Sequence, residues 1–259
     1  MLIAELYYTT QPLPTRSYPA MVSKHAWKVE LIPWDHSSPE HVERMYDQRV
    51  ACGWRSDEVP SWVESAKSGG KIFYWIIFSD TLTDRGELEQ KHAVAYPKES
   101  TPLRDTASEV RLVSRQPTGR EFIPIGHVAL DIHDAEEDTK LGLPSPGTVW
   151  VHQLYISYAL QGGGYGTGAM SKVEALAAQE PMNATVLALD TMAKGMDLSP
   201  EHAEVLEKEL KSPISKISKE EWYERQEYKT YKRGAGYVYR SQMGHQIPLT
   251  VAYMKKMII

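Results

Sequence analysis

Residues 160–169 read Leu160-Gln161-Gly162-Gly163-Gly164-Tyr165-Gly166-Thr167-Gly168-Ala169. A strand pattern feeds this run and a helix pattern leaves it. Glycines let backbone N–H groups converge without Cβ obstruction. The first turn of the emerging helix adds unpaired N–H groups and the positive end of its dipole. Together they make a nest for phosphate oxygens. A P-loop has the glycine spacing of Gly163 to Gly168, but Ala169-Met170 stand where Lys and Ser/Thr are required. A dinucleotide fingerprint fits in part. Gly164, Gly166 and Ala169 match G-x-G-x-x-A, and Asp190 ends the next strand where a ribose contact is expected. Against it, Tyr158-Ala159-Leu160-Gln161 separate strand from glycines, and too little chain follows to finish a doubly wound sheet.

Outward from the loop, Val149–Ser157 reads as the preceding strand and Thr167–Gln179 as the following helix, with Ala169, Val173 and Leu176 inward. Further strands are expected at Trp27–Trp34, Lys71–Ser79, Phe122–His133, Thr185–Leu189, Tyr228–Arg240 and Leu249–Met257. Lys71–Ser79 is so rich in β-branched and aromatic residues that it reads as a buried central strand. Ser38 caps a helix with Pro39 at its first position and an apolar stripe of Val42, Met45, Tyr46 and Val50. A second helix opens at Pro60 and stops at Gly69-Gly70, and another spans Pro200–Leu210. Ser218 and Glu221 form a capping box for a last helix, with Ile217 and Trp222 as its hydrophobic staple.

Residues 80–120 are polar with little periodicity and read as a long irregular insertion; 134–147 read as a loop. The 259 residues fit one domain over 27–259, with insertions at about 80–120, 134–147 and 191–217, behind an N-terminal arm over 1–26. Strands and helices alternate in a mixed α/β order.

The chain has 42% hydrophobic and 24% charged residues and a net charge of −5. That is ordinary soluble composition without the basic footprint of a nucleic-acid binder. One cysteine, Cys52, allows no internal disulfide and suits a cytoplasmic or nucleocytoplasmic compartment. No leader pattern or membrane-length apolar window is present. The histidines show no H-x₃-H spacing, so no metal site is expected. No G-x-S-x-G elbow exists, which excludes that hydrolase pattern. Lys229, Lys232 and Arg233 read as a solvated strand edge.

Gln161-Gly162-Gly163-Gly164-Tyr165-Gly166 resembles the [RQ]-x-x-G-x-[GA] pyrophosphate loop of the GNAT superfamily of N-acetyltransferases. Leu154-Tyr155-Ile156, five residues upstream, looks like that family's fourth strand. Trp222-Tyr223-Glu224-Arg225-Gln226-Glu227-Tyr228 is similar to its aromatic-Tyr-Glu-Lys-x-Gly-Phe segment, departing at Glu227 and Tyr228. The resemblance implies an α/β fold: a central mixed, mostly antiparallel sheet of about seven strands, flanked by helices and splayed at strands 4 and 5. It implies acetyl transfer from acetyl-CoA to a primary amine by direct attack in a ternary complex, without a metal. The backbone of Leu154, Tyr155 and Ile156 would hold the pantetheine arm. The loop from Gln161 through Gly162, Gly163, Gly164, Tyr165 and Gly166 to Thr167 would hold the pyrophosphate. Tyr223 is the family's acid position. His152 is the candidate base, placed on the face of Leu154 by strand alternation. His127 and Asp131 read as structural or substrate-facing. The acceptor is a small amine or a protein amine, and the protein a monomer or homodimer. Two alternatives stand beside this: an NAD(P)- or flavin-dependent oxidoreductase using Gly164–Asp190, and a non-catalytic CoA-binding module.

Overall fold

A computed structural model describes residues 24–196, 198–210, 217–241 and 244–258. Residues 1–23 of the expected arm and part of the 191–217 insertion lie outside the described residues.

Seven strands form one sheet: β1 (Val29–Pro33), β2 (Lys71–Phe78), β3 (Gly126–Asp131), β4 (Thr148–Ile156), β5 (Val186–Met192), β6 (Lys229–Arg240) and β7 (Gln246–Met257). Their spatial order is β1-β2-β3-β4-β5-β7-β6. Every neighbouring pair is antiparallel except β4 and β5. A sheet of this kind puts alternate residues on opposite faces. In β2, Ile72, Tyr74, Ile76 and Phe78 enter one core, and Phe73, Trp75 and Ile77 the other. Both faces are covered, which is why the run is apolar throughout. No helix among the described residues is long and apolar enough to cross a membrane.

Helix α5 (Tyr165–Ala177) lies over the first core and buries Ala169, Met170, Val173 and Ala177. Helices α1 (Pro39–Cys52) and α2 (Val59–Lys67) cover the other face. Ser38 caps α1 by accepting from the His41 N–H, and Gly53 ends it at a φ of 76°. The left-handed region favours glycine there.

The stripe expected on α1 holds at Met45 and at the partly buried Val42, and fails at Tyr46 and Val50. The buried face is His41, Arg44, Met45, Gln48 and Arg49, while Tyr46 and Val50 are about half exposed. Polar side chains go inward because each finds a partner, and a buried polar group is tolerated only on that condition. His41 Nδ1 accepts from Trp75 Nε1 at 3.0 Å. Gln48 donates to Glu99 at 2.8 Å and accepts from His127 Nδ1 at 2.8 Å. Arg44 donates to the Thr101 carbonyl at 2.7 Å.

Those partners come partly from residues 80–120, which are ordered rather than irregular. They contain α3 (Arg85–Ala95) and two short ladders, Leu103–Arg104 with Glu121–Phe122 and Glu109–Val110 with Val113–Ser114. Ion pairs replace apolar periodicity: Arg115 with Asp105, and Arg120 with Glu30 and Asp80. Likewise 134–147 is not all loop. Asp134 caps the acidic six-residue α4 (Ala135–Lys140). Helix α6 (Pro200–Leu210) follows β5, and α7 (Lys219–Glu224) carries the expected Ser218–Glu221 capping box.

Candidate active site

Strands β4 and β5 pair only from Thr148 to Trp150, against Val186 to Ala188, and then part. A cleft of about 770 Å³ opens along the gap. On its other edge β4 carries a bulge. The β3–β4 register slips by one residue, and Gln153 sits at a φ of 47°. A bulge breaks the alternation of faces. Leu154 therefore packs toward the α5 core with Val151 and Ile156. His152 stacks with Trp150 on the opposite face. The expectation that His152 and Leu154 share a face fails for that reason.

A chain of charges crosses the sheet beneath the cleft. Lys71 on β2 binds both oxygens of Asp131 on β3. His152 Nδ1 on β4 donates to Asp131 Oδ2 at 2.7 Å, and its Nε2 donates to Asp190 Oδ1 on β5 at 3.0 Å. The Tyr237 hydroxyl on β6 donates to the other oxygen of Asp190. Burial alone would lower the His152 pKa, but hydrogen bonds to two carboxylates outweigh it and lift it to about 9. Burial opposes ionisation of Asp131 too, yet His152 and Lys71 hold its pKa below the ordinary value. At neutral pH the imidazole is cationic and donates from both nitrogens. It has no lone pair with which to act as the expected base.

The donor atoms of Asp131, His133 and His152 lie within 4.8 Å of one another, near enough for a metal ion. The Lys71 ammonium and the His152 proton already supply positive charge there. Trp150 stacks against His133 at 4.8 Å and His152 at 5.8 Å, and its Nε1 donates to Asp138 of α4. The 134–147 segment thus holds up one wall of the cleft.

Tyr223 on α7 reaches the same cleft, its ring 4.8 Å from Trp222 and 5.8 Å from Tyr228. Burial first, and the Asp190 charge second, raise its pKa well above the ordinary phenol value. His127 is fully buried outside the cleft, hydrogen-bonded to Gln48 and Arg49, and its pKa is pushed well down by burial and by Arg49. Its structural reading fits that place.

The glycine loop stands at the end of β4. None of the N–H groups from Gly162 to Thr167 donates to another described residue. Gly164 has a φ of 83°, and a Cβ there would come within 2.8 Å of His25. A Cβ on Gly163 would enter the Tyr165 ring at 2.2 Å. The cradle therefore needs glycine at both positions. The Gln161 side chain turns back to the Ile156 carbonyl. Lys28 places its Nζ 2.9 Å from the Gly163 carbonyl and 5.6 Å from the centre of the Tyr165 ring. The sequence reading missed Lys28, Asp190 as a cleft carboxylate, and Tyr237. Only the strand register ties them to the site. An exposed strand edge was expected at Lys229, Lys232 and Arg233. All three are exposed, and Arg233 reaches back to Glu220.

A seven-stranded, mostly antiparallel sheet with one parallel splayed pair and a glycine nest at the end of its fourth strand defines a class. Residues 75–197 match the model of the acetyltransferase (GNAT) family. Over that stretch, just under half of the chain, the protein is similar to GNAT acetyltransferases. Among solved structures it is similar to an aminoglycoside 6'-N-acetyltransferase complexed with coenzyme A, at 14% identity over 89% of this chain and 97% of that one, with a TM-score of 0.45. It is also similar to the aminoglycoside 6'-N-acetyltransferase from Enterococcus faecium, at 12% identity over 89% and 97%, TM-score 0.47. A putative GNAT acetyltransferase from Desulfovibrio desulfuricans aligns at 10% identity over 89% and 99%, TM-score 0.47. No curated protein matches the chain in sequence.

Proposed function

We propose that the protein transfers an acetyl group from acetyl-CoA to a primary amine by direct attack within the β4–β5 cleft. The observation that carries this is the meeting of three parts at one gap: a splayed parallel pair, an unpaired amide nest at its end, and a carboxylate and a phenol that both line it. Acetyl-CoA supplies the thioester. The nest from Gly162 to Thr167 holds its pyrophosphate, with the dipole of α5 behind it. The backbone of Leu154, Tyr155 and Ile156, on the unpaired edge of β4, receives the pantetheine arm.

The acceptor amine must lose a proton, and the departing thiolate must gain one. Asp190 is the acceptor of the first, because His152 is already protonated. His152 and Tyr237 hold the Asp190 carboxylate in place from two sides. Tyr223 supplies the second. The two steps are coupled through charge. Asp190 helps keep Tyr223 protonated. Once Asp190 takes the proton of the amine its field collapses, and Tyr223 becomes more acidic as the thiolate forms.

Calorimetric titration with acetyl-CoA tests the ligand. Gly162→Asp is the clean variant, because a Cβ there meets nothing within 4 Å. Asp also tolerates the left-handed backbone at this φ of 87°. A carboxylate in the nest weakens acetyl-CoA binding on the order of 100-fold, through lost donors and like-charge repulsion. Equal affinity for wild type and variant defeats the proposed cradle. Preference for NAD(P)H over acetyl-CoA would return the Gly164–Asp190 dinucleotide reading.

Lys28 is expected to add to the nest. Its ammonium has a carbonyl but no carboxylate partner among the described residues. Lys28→Met raises the Kd for acetyl-CoA about tenfold, the loss of roughly 1.4 kcal/mol expected of one charge-assisted contact. An unchanged Kd at low salt removes Lys28 from the site.

A further inference from the structure

Not every charged group that lines the cleft has a counter-charge beside it. Lys71, Asp131, His152 and Asp190 cancel, two positive against two negative. Arg55 leans on Glu58 at 3.5 Å. Arg49 is left over. It lines the cleft, is 3% exposed, and forms no ion pair among the described residues. Its Nε donates to the Trp54 carbonyl at 2.8 Å, and its Nη1 meets His127 Nε2 at 3.3 Å. Both partners are neutral, since burial and Arg49 itself keep His127 uncharged. A guanidinium stays charged in a protein, and a buried charge without a counter-charge is costly. A residue that keeps such a charge at the wall of a substrate cleft calls for an anion there.

Position narrows the anion. The Arg55 guanidinium lies over the Tyr237 ring, 4.6 Å from its centre, and the hydroxyl of that ring binds Asp190. One tyrosine ring therefore separates the carboxylate that receives the amine from the guanidinium end of the cleft. Arg55 is fixed there by a left-handed backbone at φ 56°, a conformation a long side chain seldom adopts. Arg49 and Arg55 are the two guanidinium groups among the residues that line the cleft, and a planar guanidinium pairs with a carboxylate through parallel N–H donors.

We infer that the acceptor is an amine that also bears a carboxylate, a compound of the amino-acid class, with its amine at Asp190 and its carboxylate toward Arg49 and Arg55. This rests on the acetyl-transfer reading. It runs against a polycationic acceptor, which would bring like charge to Arg49. Specificity comes from leaving a charged site unpaired when the wrong acceptor binds, which discriminates far more strongly than shape.

The test is release of CoA thiol from acetyl-CoA by the purified protein. Acceptors are the proteinogenic amino acids, their carboxamides, spermidine and kanamycin. For the best amino acid, kcat/KM exceeds that of its own carboxamide about 100-fold, with spermidine and kanamycin below both. In Arg55→Met that preference collapses about tenfold. Arg49→Met collapses it further, with its fold checked by denaturant unfolding because the side chain is buried. A carboxamide or polycation as the better acceptor, or an unchanged preference in Arg55→Met, overturns the inference. Direct calorimetric binding of the same amino acids separates the two claims. If acetyl-CoA does not bind but an amino acid does, through Arg55, the transfer reading fails and the anion subsite stands. If acetyl-CoA binds and no amino acid does, the inference alone fails.

Discussion

Tyr223→Phe lowers kcat by about 10²–10⁴-fold while the Kd for acetyl-CoA stays within a factor of about two. The hydroxyl oxygen is one heavy atom of the residue, and the ring packing against Trp222 and Tyr228 survives its removal. What goes is the only proton donor proposed for the leaving thiolate. Burial and the Asp190 charge keep that phenol protonated through the whole working range, so its loss is felt at every pH rather than on one limb of a profile. Rate measurement with thiol detection, beside a binding titration, checks it. A fall in kcat below about threefold would remove Tyr223 from proton transfer and leave the thiolate to solvent.

The His152 clamp makes a thermodynamic prediction of similar weight. Its imidazole titrates near 6.5 when unfolded and at about 9 in the folded protein. The stabilisation is complete below about pH 6.5, where both states hold the proton, and is lost as pH rises through about 9. A shift of this size corresponds to about 3 kcal/mol. The side chain is 17% exposed, so solvent takes little of it. Asp131 acts in the other sense: its depressed pKa contributes stability that disappears as pH falls below the carboxylate range. Urea unfolding of wild type should therefore weaken by about 3 kcal/mol between about pH 6.5 and pH 10, and His152→Asn should flatten that slope. A wild-type curve already flat over this interval would mean that His152 is not held between two carboxylates.

Much of this molecule can be read from local sequence because its signals are local. Ser38, Pro39 and Gly53 mark both ends of α1, and Ser218 with Glu221 starts α7. The glycine run announces the nest. What failed depended on distant partners. The inward face of α1 is written in His41, Gln48 and Arg49, and nothing near them in sequence says that Trp75, Glu99 and His127 wait on the other side. Residues 80–120 are held by ion pairs rather than an apolar period, so periodicity is blind to them. The bulge at Gln153 inserts one residue and puts His152 and Leu154 on opposite faces, which no alternation rule can foresee. Asp190 looked like a ribose ligand because it ends a strand after glycines. Only pairing of β5 beside β4 makes it a neighbour of His152.

The parting of β4 and β5 has a consequence for cooperativity. Three paired residues on each strand join the two halves of the sheet directly, and past Trp150 the hydrogen bond from His152 to Asp190 links the two strands through side chains. Slow-exchanging amides should accordingly fall into two blocks, β1–β4 and β5–β7, whose protection separates first at this seam. A ligand lying along the gap supplies the missing strand hydrogen bonds. It would raise the protection of both blocks together, by the free energy with which it binds.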